Sequence, residues 1–356
     1  MTAPRVVKFG GDALATPERI AAAARRVAVR RTAGPVVAVA SARRGMTDHL
    51  LRLVEQVREA GGGHRPGSRA ALAAADRAVT SGEIVAASLL AVALEELGIA
   101  ASVLDAREAG IRSDGAPGHA TIIDVRPAHL ERLLSRGTVP VVTGFQGWHR
   151  GRLTALGRGG SDISAVALAI ALRGEACELV KDPGALHTAD PRLVPDARPI
   201  PSASHRFVTE LAEAGARVIH AVAARSAEWA RLPLRFTSLR PDGDPVTLVD
   251  RAGAGTGAHA VALTAGYHRD FESAPGDPSE VAVVSAVQDA GGVLRLDLPG
   301  ALSDAGVTVL RSAPARHGYS LLVPQPEAIT AVRAVHAALE ATAATDSGRR
   351  QRASHG

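Results

Sequence analysis

Val6-Val7-Lys8-Phe9-Gly10-Gly11-Asp12-Ala13 decides how this chain is read. Two β-branched residues lead into a lysine, two glycines turn the backbone, and a helix beginning near Thr16-Pro17-Glu18 follows. Strand, tight turn and helix, in that order, present backbone N–H groups and a mobile cation to an anion, because glycine permits close approach and a helix start carries partial positive charge. Phosphate is the usual anion; a plain strand-to-helix connection is the other reading. Lysine usage favours the first. Of 41 Lys and Arg residues only two are lysines, Lys8 and Lys181. Lys8 stands in the turn where a compact ammonium differs most from a planar guanidinium.

Downstream, residues 16 to about 33 form an alanine- and arginine-rich helix, and Pro35 restarts the chain as the strand Val36-Val37-Ala38-Val39-Ala40, completing a βαβ unit. That strand runs into Ser41-Ala42-Arg43-Arg44-Gly45-Met46-Thr47-Asp48, ahead of a helix over about 49–60. Hydroxyls at a strand's C-terminal end stand where open α/β sheets bind ligands. N-capping by Thr47 or Asp48 is the alternative. After a surface loop at 61–67, an alanine-rich helical region is interrupted at Ser81-Gly82-Glu83. Glu83 precedes the apolar run 84–94, which suits either a ligand contact or a capping acid. Strands are predicted at 101–104 and 139–143.

Leu156-Gly157-Arg158-Gly159-Gly160-Ser161-Asp162-Ile163-Ser164 is the strongest local signal. It places a forked anion binder, a hydroxyl and a carboxylate in one glycine-rich turn before the helix 165–172. A strand at 177–180 leads into Lys181-Asp182-Pro183-Gly184, and a helix is expected over 206–214. Strands at 233–237 and 246–249 close the first domain, and 251–257 is a natural linker. Beyond it come a strand at 281–287, a short helix near 300–304, strands at 307–311 and 318–323, and a helix at 326–341.

At 356 residues the chain has room for two domains. With 46% hydrophobic and only 3% aromatic residues, the core must be aliphatic. The net charge of +5 comes from scattered arginines rather than a basic stripe, so nucleic acid is not an expected partner. The single Cys177 excludes an internal disulfide and reads as a buried thiol. No signal sequence or membrane-length apolar run is evident, which predicts a cytoplasmic protein with no membrane partner.

The ordered set Lys-Phe-Gly-Gly, Ser-Ala…Thr-Asp, Ser-Gly-Glu, Gly-Arg-Gly-Gly-Ser-Asp, Thr-Ala-Asp-Pro-Arg and Gly-Ala-Arg-Val-Ile-His resembles the aspartate kinases of the amino-acid kinase superfamily, over about residues 5–250. The stretch 292–341 resembles one ACT domain. The resemblance implies an α/β fold, a three-layer αβα sandwich with a smaller α+β ACT-like domain. The expected division is a catalytic domain at 1–250, an ACT-like regulatory domain at 251–343 and a disordered tail at 344–356. It also implies a homodimer formed through the ACT-like domain. The implied reaction uses ATP and Mg2+ to phosphorylate the side-chain carboxylate of aspartate.

Carried over by position, the resemblance makes Lys8 the cation on the transferred phosphate and gives Gly10 and Gly11 backbone contacts to the same phosphates. Ser41, Thr47, Glu83 and Arg158 hold the amino acid, Glu83 by its ammonium and Arg158 by its α-carboxylate. Ser161 and Asp162 lie on the phosphate and metal side, with no metal ligand set specified. Lys181, Asp182, His187, Arg192 and Arg217 fall at the nucleotide.

Departures fall in three places, one of them the adenine-side segment, where Lys181 stands at a position commonly threonine and His187 at one commonly tyrosine. Asp12-Ala13 stands where the family has Thr-Ser, and an acid there repels a triphosphate unless a metal or Lys8 intervenes. Arg43-Arg44 replaces a small, glycine-containing pair, favouring a more anionic ligand if the guanidiniums are not simply solvated. Two alternatives therefore stand beside aspartate kinase: a same-fold kinase of another carboxylate, and a weakly active regulatory protein that senses an amino acid.

Overall fold

The structure, a computed structural model, describes residues 2–62, 68–240, 245–250, 258–266, 271, 277–289, 296–315 and 318–353, with side chains to residue 343. The predicted linker at 251–257 and most of the 61–67 loop lie outside the described residues.

The chain divides into two units, residues 1–185 with 222–248, and residues 186–221 with 249–356. This differs from the predicted boundary near 250. The segment 186–221 belongs to the second unit because Ala189 and Val194 enter its core and the Val261 N–H donates to the Thr188 carbonyl oxygen at 2.9 Å.

The first unit is built on parallel strands in the order Leu234–Thr237, Ala176–Val180, Arg5–Phe9, Val36–Ala40, Val139–Thr143, Ala101–Leu104. Most residues of these strands are apolar, as burial on both faces demands. One face carries Val7, Phe9, Ala38, Ala40 and Val141 against the helices Pro17–Arg31 and Arg69–Glu95. The other face meets the helix Gly160–Ala171, so helices cover both sides. Strand order reverses at Arg5–Phe9, which lies between Val36–Ala40 and Ala176–Val180, and the crevice at such a reversal is where open α/β sheets bind ligands.

The helix Arg69–Glu95 runs unbroken through Ser81-Gly82-Glu83, where an interruption was expected. Gly82 serves close packing instead: a Cβ there would sit 3.0 Å from Ala42 Cβ and 3.1 Å from Met46 Cγ. Among the described residues this is the one helix long and apolar enough to cross a membrane by length and composition. It nevertheless carries buried Asp76, Thr80 and Glu83 at helical spacing on one face. A four-stranded sheet of Ile122–Val125, Ile111–Ser113, Gln146–His149 and Arg152–Ala155 completes this unit; its strands are too short for sequence periodicity to reveal.

The second unit contains an antiparallel sheet in the order His259–Ala265, Val281–Gln288, Gly318–Pro324, Arg311–Ala315. Alternation puts Ala282, Val284, Leu321 and Val323 into a core with the helices Leu298–Asp304 and Ala328–Ala353, while Val283 and Leu322 face the opposite side with Phe271. The strand expected at 307–311 begins at Arg311, and the last helix continues to Ala353 through most of the segment expected to be disordered.

One buried charge anchors the large sheet from within. Glu178, in the strand Ala176–Val180, accepts from Arg30 Nε at 2.6 Å, Arg26 Nε at 3.0 Å and Thr237 Oγ1 at 2.9 Å. Burial pushes its carboxyl up, but the hydrogen bond from Arg30, the charges of Arg26 and Arg30, and the Thr237 hydroxyl outweigh it and hold the group below its ordinary value. Removing one member of such a pair strands the others in low dielectric. Glu178→Gln should therefore cost about 3 kcal/mol in denaturant unfolding at neutral pH. The gap should close as pH falls below about 4.5, because a depressed carboxyl loses its contribution on protonation. A loss below about 1 kcal/mol would contradict this reading.

Candidate functional site

The site begins with strand pleat. Lys8 alternates with Val7 and Phe9, which face the Pro17–Arg31 helix, so its ammonium emerges toward the helix Gly160–Ala171. Lys8 Nζ lies 2.8 Å from Asp162 Oδ1, each side chain about 14% exposed. Asp162 occupies the first turn of its helix, where the helix dipole favours an anion. Cys177 is buried nearby, and burial, then the Asp162 charge, push its thiol well above the ordinary range. That fits the structural thiol expected from sequence.

The two glycines of the first turn divide their roles. The Gly10 N–H donates to the Val180 carbonyl oxygen at 3.0 Å, so the expected phosphate contact from this donor is not what the structure provides. Gly11 is required by close approach, since a Cβ there would lie 2.8 Å from the Ala42 carbonyl oxygen. The neighbouring turn is stitched to it: the Ser41 N–H donates to the Phe9 oxygen at 3.1 Å, and the Arg44 N–H to the Gly11 oxygen at 3.1 Å.

A cavity of about 580 Å³ opens over these turns, and Lys8, Gly11, Ser41, Thr47, Glu83, Arg158, Ser161 and Asp162 all line it. Residues separated by more than 150 positions are thereby brought to one place. Thr47 lies in the first turn of the helix Met46–Ala60, whose N-cap is Gly45 without any side-chain cap, so capping does not explain the hydroxyl.

Glu83 is the most informative group on the wall. It is 2% exposed, and its Oε1 accepts from the Ala42 N–H at 3.0 Å, whereas Oε2 is buried with no hydrogen-bond partner. Burial pushes the carboxyl up to about 7, opposed by the Ala42 N–H. An orphaned, desolvated carboxylate oxygen is a receptor for a cationic donor. Elsewhere on the wall Arg158, 88% exposed, approaches Asp48 Oδ1 at 3.6 Å, which shows that its guanidinium reaches a carboxylate there.

Sequence reasoning missed Asp76, which lines the same cavity two helical turns before Glu83. Its Oδ1 accepts from the Gly118 N–H at 2.9 Å and its Oδ2 from the Ala155 N–H at 3.1 Å, which fixes the strand leading to Arg158. Burial raises its carboxyl, and the Ala155 and Gly118 donors oppose the shift. The seven-residue spacing to Glu83 was the available signal.

The cation that meets Asp12 is Arg44 rather than Lys8. The Asp12 carboxylate pairs with its guanidinium, while Arg43 Nη2 donates to the Ala15 carbonyl oxygen at 2.6 Å. Of the residues expected at a nucleotide, Lys181 and Asp182 belong to this unit. The Lys181 N–H donates to the Thr237 oxygen at 2.9 Å, and Asp182 lies between Arg19 at 3.2 Å and Arg240 at 3.6 Å. His187, Arg192 and Arg217 fall in the second unit. There His187 pairs with Pro199 in a short antiparallel bridge. Arg192 forks onto Asp190 at 2.9 and 2.6 Å, and this hydrogen bonding, more than the charges of Arg192 and Arg217, depresses the Asp190 carboxyl.

The Glu83 environment predicts a measurable pH dependence. Its native state holds a proton that the unfolded chain releases, so native stability falls as pH rises from 4.5 to about 7 and the full cost persists above that. Glu83→Gln should be more stable than the parent by up to about 3 kcal/mol near pH 8 and equal to it near pH 4, by denaturant unfolding. A difference independent of pH would show that Glu83 is not desolvated.

Residues 4–238 match the sequence profile of the Amino acid kinase family. An aspartokinase of Corynebacterium glutamicum is 38% identical over 250 residues, covering 68% of this chain and 56% of that protein. One from Mycolicibacterium smegmatis is 39% identical with the same coverage, so the chain spans little more than half the length of these curated relatives. Among solved structures, E. coli aspartokinase III in complex with aspartate and ADP shares the fold, with a TM-score of 0.78 and 21% identity over 94% of this chain and 99% of that one. An aspartate kinase from Synechocystis aligns with a TM-score of 0.60 and 26% identity over 94% of this chain and 69% of that one. With the profile covering most of its length and the fold matching throughout, the chain belongs to the amino acid kinase family.

Proposed function

We propose that this protein is an aspartate kinase, transferring the γ-phosphoryl group of ATP to the side-chain carboxylate of L-aspartate. The observation that carries the reading is the pattern of charge on one cavity: an orphaned Glu83 oxygen, the Arg158 guanidinium, the hydroxyls of Ser41 and Thr47, and the Lys8–Asp162 pair. Glu83 takes the ammonium of the amino acid and Arg158 its α-carboxylate, leaving the side-chain carboxylate directed toward the phosphate end. Related aspartokinases at 38–40% identity support the choice of substrate.

Lys8 neutralises charge on the transferred phosphoryl group, and Gly11, whose missing Cβ makes room for the 41–44 turn, offers its backbone to the phosphates. The reaction needs positioning and charge neutralisation rather than a protein nucleophile. The acceptor carboxylate is already ionised at neutral pH and needs no general base. Asp162 and Ser161 are the oxygen donors on this wall that Mg2+ held by the nucleotide phosphates would meet. Among the described residues no cluster of three or more His, Cys, Asp or Glu could hold a metal. The second unit acts in this reading as an ACT-like module through which two copies associate. Its outer strand Arg311–Ala315, paired on one side by Gly318–Pro324, offers one edge for that contact.

Hydroxylamine trapping with Mg-ATP tests the reading, because an aspartyl phosphate yields a coloured hydroxamate. Hydroxamate should form from aspartate and fall by about a thousandfold or more in Lys8→Met, since the transition state loses its closest cation. Signal from a different carboxylate alone would reassign the substrate, and retained turnover in Lys8→Met would remove the lysine from the mechanism.

The site's acidity gives a second test. Glu83 must be ionised to receive an ammonium, so kcat/KM for aspartate should fall about tenfold per pH unit below about pH 7. Glu83→Gln should raise the aspartate KM by about a hundredfold and abolish this acid limb. An acid limb surviving in Glu83→Gln would assign it to another group.

A further inference from the structure

An acid placed directly after an anion-binding turn is an electrostatic contradiction. Asp12 follows Gly11, and a carboxylate at that point repels the charge that Gly11 and Lys8 are arranged to receive. The structure resolves it through Arg44, whose Nε donates to Asp12 Oδ1. Asp12 and Arg44, one from each of two departures noted in the sequence, are thus one contact, while Arg43 turns to the Ala15 carbonyl oxygen.

The contact is a surface ion pair, but the backbone on both of its sides is held in place. Both turns that carry it are locked: the Arg44 N–H donates to the Gly11 oxygen at 3.1 Å, Arg43 Nη2 to the Ala15 oxygen at 2.6 Å, and Arg19 Nη1 to the Asp12 carbonyl oxygen at 2.9 Å. The Arg44 side chain is nevertheless 73% exposed and lines the cavity that Lys8 lines. Asp12 therefore holds the Arg44 guanidinium at the wall of the cavity, and a guanidinium is a group that phosphate oxygens accept from.

We propose that Asp12 and Arg44 form one charge-compensated unit that sets the affinity of this cavity for its phosphate donor. Arg44 is the positioning residue: it cancels the Asp12 charge beside the phosphates and adds a clamped cation to the one supplied by Lys8. The proposal rests on the phosphoryl-transfer reading above and deepens it.

Calorimetric titration with MgADP separates this unit from an ordinary salt bridge. Arg44→Gly, which leaves Asp12 uncompensated, should weaken binding by about 30-fold, and Arg44→Lys by about threefold. Asp12→Thr alone should not weaken it, and the double variant Asp12→Thr/Arg44→Gly should return to within about threefold of the parent. A merely structural bridge predicts equal losses in both single variants and no recovery in the double. Either result overturns the proposal, as does an Arg44→Gly protein that melts normally and binds MgADP like the parent. The readout is binding rather than turnover: a parent that binds MgADP but phosphorylates no aspartate overturns the function proposed above and leaves this unit standing. A parent that does not bind MgADP overturns both.

Discussion

The Lys8–Asp162 ion pair, 2.8 Å long and mostly buried, is the interaction on which the layout of the first unit's cavity depends. It joins the central strand of the parallel sheet to the start of the helix on its far face, at the point where strand order reverses. Ion pairs removed from water are weak devices for stability, because desolvation offsets attraction. Their use lies in fixing charge where a ligand will meet it. Here the strand supplies the cation, the helix start supplies the anion, and the cavity opens over both.

The unit's other buried charges follow the same rule with different outcomes. Glu178 is surrounded by arginines and a threonine hydroxyl, and those donors overcome its desolvation, so it serves the fold. Asp76 has both oxygens satisfied by backbone N–H groups and holds the strand leading to Arg158 in place. Glu83 has one oxygen satisfied and one orphaned. An incompletely satisfied buried carboxylate is costly, and its position on a cavity wall gives the cost a functional meaning. The gradation from Glu178 to Asp76 to Glu83 runs from charge fully satisfied within the fold to charge with one oxygen left open on the cavity wall.

Much of this was legible in the sequence, for a physical reason. Lys8, Ser41, Thr47, Ser161 and Asp162 sit where strands end and helices begin, and glycines, hydroxyls and acids at such junctions leave local signatures. The parallel strands were equally readable, being continuous aliphatic runs between turn residues. Contacts that depend on packing were not. The Ser81-Gly82 pair suggested a helix break by local propensity, but close approach to Ala42 and Met46 uses the glycine inside an unbroken helix. Asp76 acquires meaning only when Gly118 and Ala155 arrive from the short antiparallel sheet. The Asp12–Arg44 pair joins two turns whose separate sequences look unfavourable to phosphate, and the allegiance of residues 186–221 is set by tertiary pairing with Val261.

Under the proposed function a carboxylate of the bound amino acid, rather than water, receives the phosphoryl group in this cavity. The most direct test uses aspartate labelled with heavy oxygen in the side-chain carboxylate, Mg-ATP and hydroxylamine, followed by mass analysis of the phosphate released. Phosphate carrying one labelled oxygen, left by attack of hydroxylamine on the acyl carbon, is the expected result. Phosphate free of label would mean that water is the acceptor, and would contradict the proposed function.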